Sequence, residues 1–138
     1  MQQCRAGLGQ RGAERGVELA GIGDGVGRAP QATGDGSSMY GIQALWTAAR
    51  EGAAVTFVVL DNAEYAAVRL LGEAAGATKL PGVALGGIDF VAVARGLGCA
   101  AHAVTDPGEL DAALRAALAE PGPTLLHLPV AAQSVTPY

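Results

Sequence analysis

Strand-length and helix-length segments alternate along residues 33–130. Residues 55–60 form a nearly continuous run of β-branched and apolar side chains, which is typical of a strand buried on both faces of a parallel sheet. Shorter apolar runs predict two more strands, at 100–104 and 124–128. Apolar spacing predicts helices over 40–51, 63–71 and 88–97, and a further helix in which Leu110, Leu114 and Leu118 recur. This alternation predicts an α/β fold, a parallel sheet with helices on both faces.

Local signals mark where several of these elements begin and end. Asp106 followed by Pro107 is a typical start for the helix that contains Leu110. Gly96 and Gly98 are placed to end the helix over 88–97. Residues 80–87 contain a proline and three glycines, so this segment is predicted to be a loop.

The first 32 residues do not follow the alternation. The architecture needs a buried strand before Gly34, but residues 28–33 have little apolar bulk, and Pro30 removes a backbone donor. Residues 1–32 are therefore predicted to be an atypical, poorly ordered lead-in that leaves the fold incomplete at its N-terminus. A frame disruption or a misplaced start would account for such an abrupt loss of consistency. Residues 131–138 are predicted to be a C-terminal tail.

Composition narrows the classes of function. The chain has 138 residues, half of them apolar, and a net charge of −4, which fits one domain without a basic patch. Neither nucleic acid nor a membrane is expected as a partner. The first residues lack the order of a secretory signal, so we expect a cytoplasmic location. Cys4 and Cys99 have no metal or redox spacing and are expected to be reduced thiols.

Two short motifs carry the candidate chemistry. The sequence GDGSS occupies residues 34–38 and DNAEY occupies 61–65, with Asn62 lying 27 residues after Asp35. One helix and one strand fit between them, so the two loops should meet at the carboxyl ends of neighbouring parallel strands, where open α/β sheets bind ligands. A carboxylate and an amide oxygen are hard donors suited to Mg²⁺ or Ca²⁺.

Gly-Asp-Gly followed at this spacing by Asn resembles the diphosphate-and-metal motif of thiamine-diphosphate-dependent enzymes. Residues 34–71, 81–82 and 87–90 read like the C-terminal cofactor-binding domain of benzoylformate decarboxylase and its acetolactate-synthase-like relatives, a resemblance that extends over about 34–130. It implies the thiamine-diphosphate-binding fold, with thiamine diphosphate and Mg²⁺ as cofactors.

The resemblance also implies residue roles. Asp35 and Asn62 would bind Mg²⁺ through their side chains, and Glu64 through its backbone carbonyl. Phosphate oxygens would be met at a helix start, where free amides and the helix dipole favour anions. The cofactor contacts implied there and nearby are Gly34, Gly36, Ser37, Tyr40 and Tyr65.

Simpler interpretations compete with these roles. Asp35 could be a turn residue or helix cap, Asn62 an Asx-turn residue, and the two tyrosines ordinary packing residues. A second Gly-Asp-Gly at 23–25 lies too far from Asn62, and GxGxxG at 7–12 lacks a preceding strand. The remaining notable side chains are interpreted as structural or core residues: His102, His127, Leu45, Trp46 and Leu71.

The resemblance implies the diphosphate half of a site rather than a complete enzyme. In the family a glutamate that activates the cofactor lies in a separate pyrimidine-binding domain, usually of a partner subunit. We therefore expect that domain from a partner subunit or a missing segment, and a homo-oligomer in the complete enzyme. The function favoured is the cofactor-binding domain of a 2-keto-acid decarboxylase. The alternatives are a domain of an acetolactate-synthase-type carboligase and a non-catalytic fragment that keeps the fold without the cofactor.

Overall fold

A parallel four-stranded sheet forms the centre of the computed structural model, which describes residues 30–131. The spatial order of the strands is β1-β2-β4-β3. In chain order the strands are β1 Pro30–Gly34, β2 Thr56–Asp61, β3 Ala100–Ala103 and β4 Thr124–Pro129. The predicted α/β class with a parallel sheet is confirmed.

Five α-helices and one 3₁₀ turn connect the strands within residues 30–131. They are α1 Asp35–Met39, α2 Ala44–Arg50, α3 Ala66–Ala74, α4 Phe90–Gly96, the 3₁₀ turn Pro107–Glu109 and α5 Leu110–Ala119. The Asp106 side chain accepts a hydrogen bond from the Gly108 amide at 2.8 Å, which confirms the cap before α5. Asp89 caps α4 in the same way through the Ala92 amide at 2.9 Å.

Strand register places the two motifs side by side. Gly34, the last residue of β1, pairs with Leu60 of β2, and Leu60 pairs in turn with Leu128 of β4. The carboxyl ends of these three strands therefore meet at one edge of the sheet. The loops that follow β1 and β2 start at this edge, as the spacing of the motifs predicts.

Helices cover both faces of the sheet, with an apolar core on each. On the first face α2 and α4 pack on β2, β3 and β4. The core there is formed by buried residues of these elements and of the turn before β3: Leu45, Val59, Phe90, Ala94, Cys99, Ala101 and Leu125. On the second face α5 packs over Val58, Val104, Leu126 and Leu128. Neighbouring residues of β2 and β4 thus face opposite cores, which explains their almost continuous apolar sequence.

Two predictions about the start of the domain need correction. Residues 30–34 do form a strand, paired in parallel with β2, although their sequence gave no strand signal. Most of this strand is exposed or half-buried, so it needs little apolar bulk, and Pro30 is tolerated as its first residue. The predicted helix over 40–51 is instead two helices, because α1 ends at Met39 and a turn precedes Ala44.

Individual side chains also depart from expectation. Leu45 is buried as predicted, but Trp46 is 49% exposed and carries the Arg50 guanidinium over its ring at 5.3 Å. Leu71, predicted to be a core residue, is 71% exposed. Both predictions were wrong, because neither side chain is buried by other described residues.

The remaining expectations concern the two cysteines, the N-terminal glycine motifs and membrane-spanning helices. Cys99 is a buried free thiol whose pKa is raised by burial, whereas Cys4 and the glycine motifs at 7–12 and 23–25 lie outside the described residues. The same holds for most of the lead-in and the tail. Across residues 30–131 no helix is both long and apolar enough to cross a membrane.

Candidate functional site

A cleft of about 280 Å³ opens at the carboxyl edge of the sheet, between the two predicted motifs. Residues 34–37 form one wall, and Asn62, Glu64, Tyr65 and the first turn of α3 form another. Leu60 and Val130 add apolar surface. The structure therefore brings together seven of the eight predicted site residues: Gly34, Asp35, Gly36, Ser37, Asn62, Glu64 and Tyr65.

Asp35 is the most informative residue of the cleft. Its side chain is at the start of α1 and the residue is only 4% exposed. One carboxylate oxygen, Oδ1, accepts a hydrogen bond from the Gly36 amide at 2.9 Å. The other, Oδ2, is buried and has no hydrogen-bond partner within residues 30–131. A buried, half-satisfied carboxylate is costly unless a cation or donor completes it, so this atom fits a metal ligand.

Asp61 lies beside Asp35 and adds to its electrostatic strain. Burial is the main cause that raises the pKa of Asp35, and the Asp61 carboxylate raises it further. Asp61 itself has both oxygens engaged, by the Ala63 amide at 2.8 Å and by His127 Nε2 at 2.8 Å. These hydrogen bonds outweigh burial, and the pKa of Asp61 is lowered. The pKa values of the two neighbouring carboxylates are therefore shifted in opposite directions. Asp61 has His127 as a partner, whereas Asp35 forms no ion pair within residues 30–131.

His127 links the site to the core. Its ring lies on β4 with its centroid 5.5 Å from that of Phe90, and it hydrogen-bonds Asp61 from the neighbouring strand. Sequence analysis treated His127 as structural without identifying this partner. His127 is paired with Val59 in the strand register, so Asp61, two residues further along β2, points to the same face as His127. This contact depends on β2 and β4 being neighbours, which no local sequence pattern indicates.

The loop after β2 is tightly folded. Asn62 Oδ1 accepts a hydrogen bond from the Glu64 amide at 3.2 Å, and the intervening Ala63 has a left-handed φ of 58°. The loop is fixed to the segment 83–85 by backbone bonds from Tyr65 to Val83 and from Leu85 to Ala63. Asn62 thus forms the Asx turn that was the simpler alternative, while its side chain still lines the cleft.

Gly34 and Gly36 differ in what lies beside them. A Cβ at Gly36 would lie 2.3 Å from the Tyr65 ring and 2.9 Å from Leu85, so only glycine permits this contact. A Cβ at Gly34 would meet nothing within 4 Å among the described residues. Tyr65 therefore packs across Gly36, whereas the space beside Gly34 is open.

Tyr40 is the predicted site residue that the cleft does not include. It caps the C-terminal end of α1 and is 81% exposed. The pKa of Tyr65 is raised mainly by burial and secondarily by Tyr40, so the two phenols are neighbours. Tyr40 thus lies next to the Tyr65 ring and does not line the cleft itself.

The side chains of residues 30–131 do not by themselves form a complete metal site. Within residues 30–131 no set of three or more His, Cys, Asp or Glu side chains is arranged to hold an ion. The side-chain oxygens of the lining residues are the carboxylates of Asp35 and Glu64, the Asn62 amide and the hydroxyls of Ser37 and Tyr65, all of them hard donors, and the Glu64 carboxylate is already bound by Arg69. Such a set fits Mg²⁺ or Ca²⁺ whose remaining ligands come from a bound phosphate or water.

Comparison with known proteins agrees with this geometry. Residues 15–128 match the family model described as the C-terminal thiamine pyrophosphate (thiamine diphosphate) binding domain of thiamine pyrophosphate enzymes. The chain belongs to this family. The match begins before Gly34, so the similarity reaches further towards the N-terminus than the 34–130 recognised from sequence. Thiamine diphosphate is the cofactor of the family, with Mg²⁺ as its usual partner.

Two curated relatives carry the names of a decarboxylase and of an acetolactate synthase large subunit. Benzoylformate decarboxylase of Pseudomonas aeruginosa is 42% identical over 105 residues, and a Mycobacterium tuberculosis protein named for an acetolactate synthase large subunit is 41% identical over 104. These matches cover 75% and 70% of the chain.

Solved structures give the same picture. The thiamine-diphosphate-dependent 4-hydroxybenzoylformate decarboxylase of Rhodococcus jostii RHA1 superposes with a TM-score of 0.73 at 35% identity, over 77% of this chain and 20% of that one. Benzoylformate decarboxylase of Polynucleobacter necessarius gives 0.71 at 29% identity, over 74% and 19%.

The chain spans about one fifth of the curated relatives it matches, 19% and 20% of their lengths. The recognised family, fold and cofactor are therefore confirmed for the domain, which is the part of those enzymes that this chain resembles.

Proposed function

We propose that this chain supplies the diphosphate-and-Mg²⁺ half of the active site of a thiamine-diphosphate-dependent 2-keto-acid decarboxylase. The observation that carries the proposal is Asp35 Oδ2, a buried carboxylate oxygen without a partner among the described residues, beside the open space at Gly34. A divalent cation would complete that oxygen, and a diphosphate would fill that space.

The roles of the chain's own residues follow from this arrangement. Asp35 and Asn62 would bind the cation through side-chain oxygens, and Glu64 through its carbonyl. Gly34, Gly36 and Ser37 would face the phosphate oxygens, and Tyr65 would fix Gly36. When bound, thiamine diphosphate supplies the electron sink for decarboxylation, and the protein supplies binding and orientation.

The experiment that tests this role is titration of the 138-residue chain with thiamine diphosphate. We expect saturable binding with Mg²⁺ present and at least about 10-fold weaker binding after chelation, because Asp35 and the diphosphate repel each other without a bridging cation. Isothermal calorimetry gives the affinity, and amide chemical shifts detect binding too weak for heat measurement. Thiamine without phosphates is the control ligand, and equal affinity for it would contradict the proposal.

A carboligase is the second candidate, because the Mycobacterium tuberculosis relative is as similar as the decarboxylase of Pseudomonas aeruginosa. The decarboxylase is favoured here by the two solved structures, both benzoylformate-type decarboxylases. The substrate of either would be a 2-keto acid. A chain that folds but fails the titration would instead support the non-catalytic alternative.

We also propose that the complete site needs a pyrimidine-binding domain, supplied by a partner subunit or by a segment outside these 138 residues. Exposed apolar side chains surround the cleft, among them Leu60, Val68 and Val130 at 40%, 52% and 42% exposure. Such a patch is typical of a surface that a partner covers. We expect the isolated chain to self-associate at high concentration, measured by sedimentation velocity. A monomer at all concentrations would count against the proposal.

A further inference from the structure

All three guanidinium nitrogens of Arg69 donate hydrogen bonds to glutamate side chains. Its Nε and Nη2 donate to the two oxygens of Glu64 at 2.9 and 3.2 Å, and Nη1 donates to Glu73 at 3.0 and 3.2 Å. The paired geometry with Glu64 is the bidentate form, which fixes the carboxylate in orientation as well as in distance. The Arg69 and Glu64 side chains are only 28% and 18% exposed.

Glu64 is the member of this trio that lines the cleft, together with Asp35. Arg69 and Glu73 are not part of the cleft wall. A free Glu64 carboxylate would add a second negative charge to a wall already carrying Asp35, opposite a ligand with several negative charges of its own. Repulsion of that kind is strong where side chains are partly shielded from water.

We propose that Arg69 is a positioning residue that neutralises the Glu64 carboxylate and fixes its orientation at the cleft wall, so that a glutamate is tolerated at this position next to a bound diphosphate. The inference rests on the proposed function and concerns a residue to which sequence analysis assigned no role. Arg69 acts through Glu64 and not by contact with the ligand, since its donors are directed at the two glutamates. The low pKa of Glu64, caused chiefly by its bond to Arg69, agrees with a carboxylate held in its charged form.

The test is the affinity of the full chain for thiamine diphosphate with Mg²⁺ in four proteins. Arg69→Met should bind about 10-fold more weakly than the unmodified chain, the range expected for one uncompensated charge near the ligand. Adding Glu64→Gln should restore affinity to within about 3-fold, because the freed carboxylate is gone. Adding Glu73→Gln instead should leave binding weak.

The two double variants are matched in charge. The trio of the unmodified chain carries −1, and each double variant also carries −1 with one glutamate remaining, Glu73 or Glu64 respectively. They differ only in which carboxylate remains, so a difference between them separates positioning from a general charge effect. Circular dichroism verifies that each variant folds, and the defect of Arg69→Met should shrink in high salt.

Other results overturn the inference. Unchanged affinity in Arg69→Met, equal recovery in both double variants, or recovery in neither would show that Glu64 is not the group through which Arg69 acts. Absence of binding by the unmodified chain would instead overturn the proposed function, and this inference with it. Those outcomes are therefore distinguishable.

Discussion

Replacing Asp35 with Asn is expected to abolish Mg²⁺-dependent binding of thiamine diphosphate while stabilising the metal-free chain. Binding should fall at least about 100-fold, because the amide offers the cation no negative charge. Without the cation, the variant removes a buried charge whose Oδ2 has no partner among the described residues. We expect a gain of about 1–2 kcal/mol in the free energy of unfolding at neutral pH.

The pH dependence of that gain follows from the direction of the shift. The folded-state pKa of Asp35 is raised above its ordinary value of 3.8, mainly by burial. The contribution of Asp35 to stability is therefore complete at pH values below its unfolded-state pKa. This contribution is lost as the pH rises through the folded-state pKa. The advantage of Asp35→Asn should grow over this acidic interval and stay constant above it. Asp61, whose pKa is lowered, is present in both chains.

Urea unfolding at a series of pH values, with and without Mg²⁺, measures both effects. Asp106→Asn is the matched control, because Asp106 is exposed and caps a helix that Asn caps equally well. It should change stability by less than about 0.5 kcal/mol and leave binding intact. An Asp35→Asn chain that retains Mg²⁺-dependent binding would refute the metal role, and one that is destabilised without Mg²⁺ would refute the account of the buried charge.

Sequence reasoning was most successful where the chemistry depends on spacing. The interval from Asp35 to Asn62 is set by one crossover and one strand, and strand register then brings both residues to one edge. Local signals were equally sufficient for the cap at Asp106, whose side chain bonds within its own turn. In each case the information lies in neighbouring residues or in a fixed topological rule.

Long-range partners were beyond that reasoning. Asp61 and His127 are 66 residues apart in sequence and bond only because β2 and β4 are neighbours. The strand order, which places β4 between β2 and β3, is not encoded in any local pattern. The predictions that Trp46 of α2 and Leu71 of α3 are buried failed for the same reason. Whether such a side chain is exposed depends on which elements pack against it.

Strand β1 shows a different limit. Its residues lack strand propensity, and Gln31 and Ala32 are exposed, yet the segment pairs along its full length with β2. Pairing with an apolar neighbour overrides local preference, as is common for strands whose propensity depends on context. A rule that required a buried strand before Gly34 was therefore too strict.

Replacing Phe90 with Ala is expected to produce the largest loss of stability in the domain. Phe90 is 1% exposed, begins α4 directly after the Asp89 cap, and packs against the His127 ring. Truncating a buried phenylalanine costs about 3–5 kcal/mol, through lost transfer free energy and the cavity left behind. Small domains have about 5–15 kcal/mol in total, so the variant should be close to unfolding at room temperature.

Urea unfolding followed by circular dichroism measures this loss, and two further variants make it specific. Phe90→Leu keeps most of the apolar volume and should lose only about 1–1.5 kcal/mol. Leu71→Ala truncates an apolar side chain at a position that is 71% exposed, and should change the free energy of unfolding by less than about 0.5 kcal/mol. Phe90 connects α4 to His127, and His127 connects in turn to Asp61 at the cleft. The packing that supports the site is therefore the same packing that stabilises the fold. A decrease of less than about 1 kcal/mol in the free energy of unfolding of Phe90→Ala would contradict that connection.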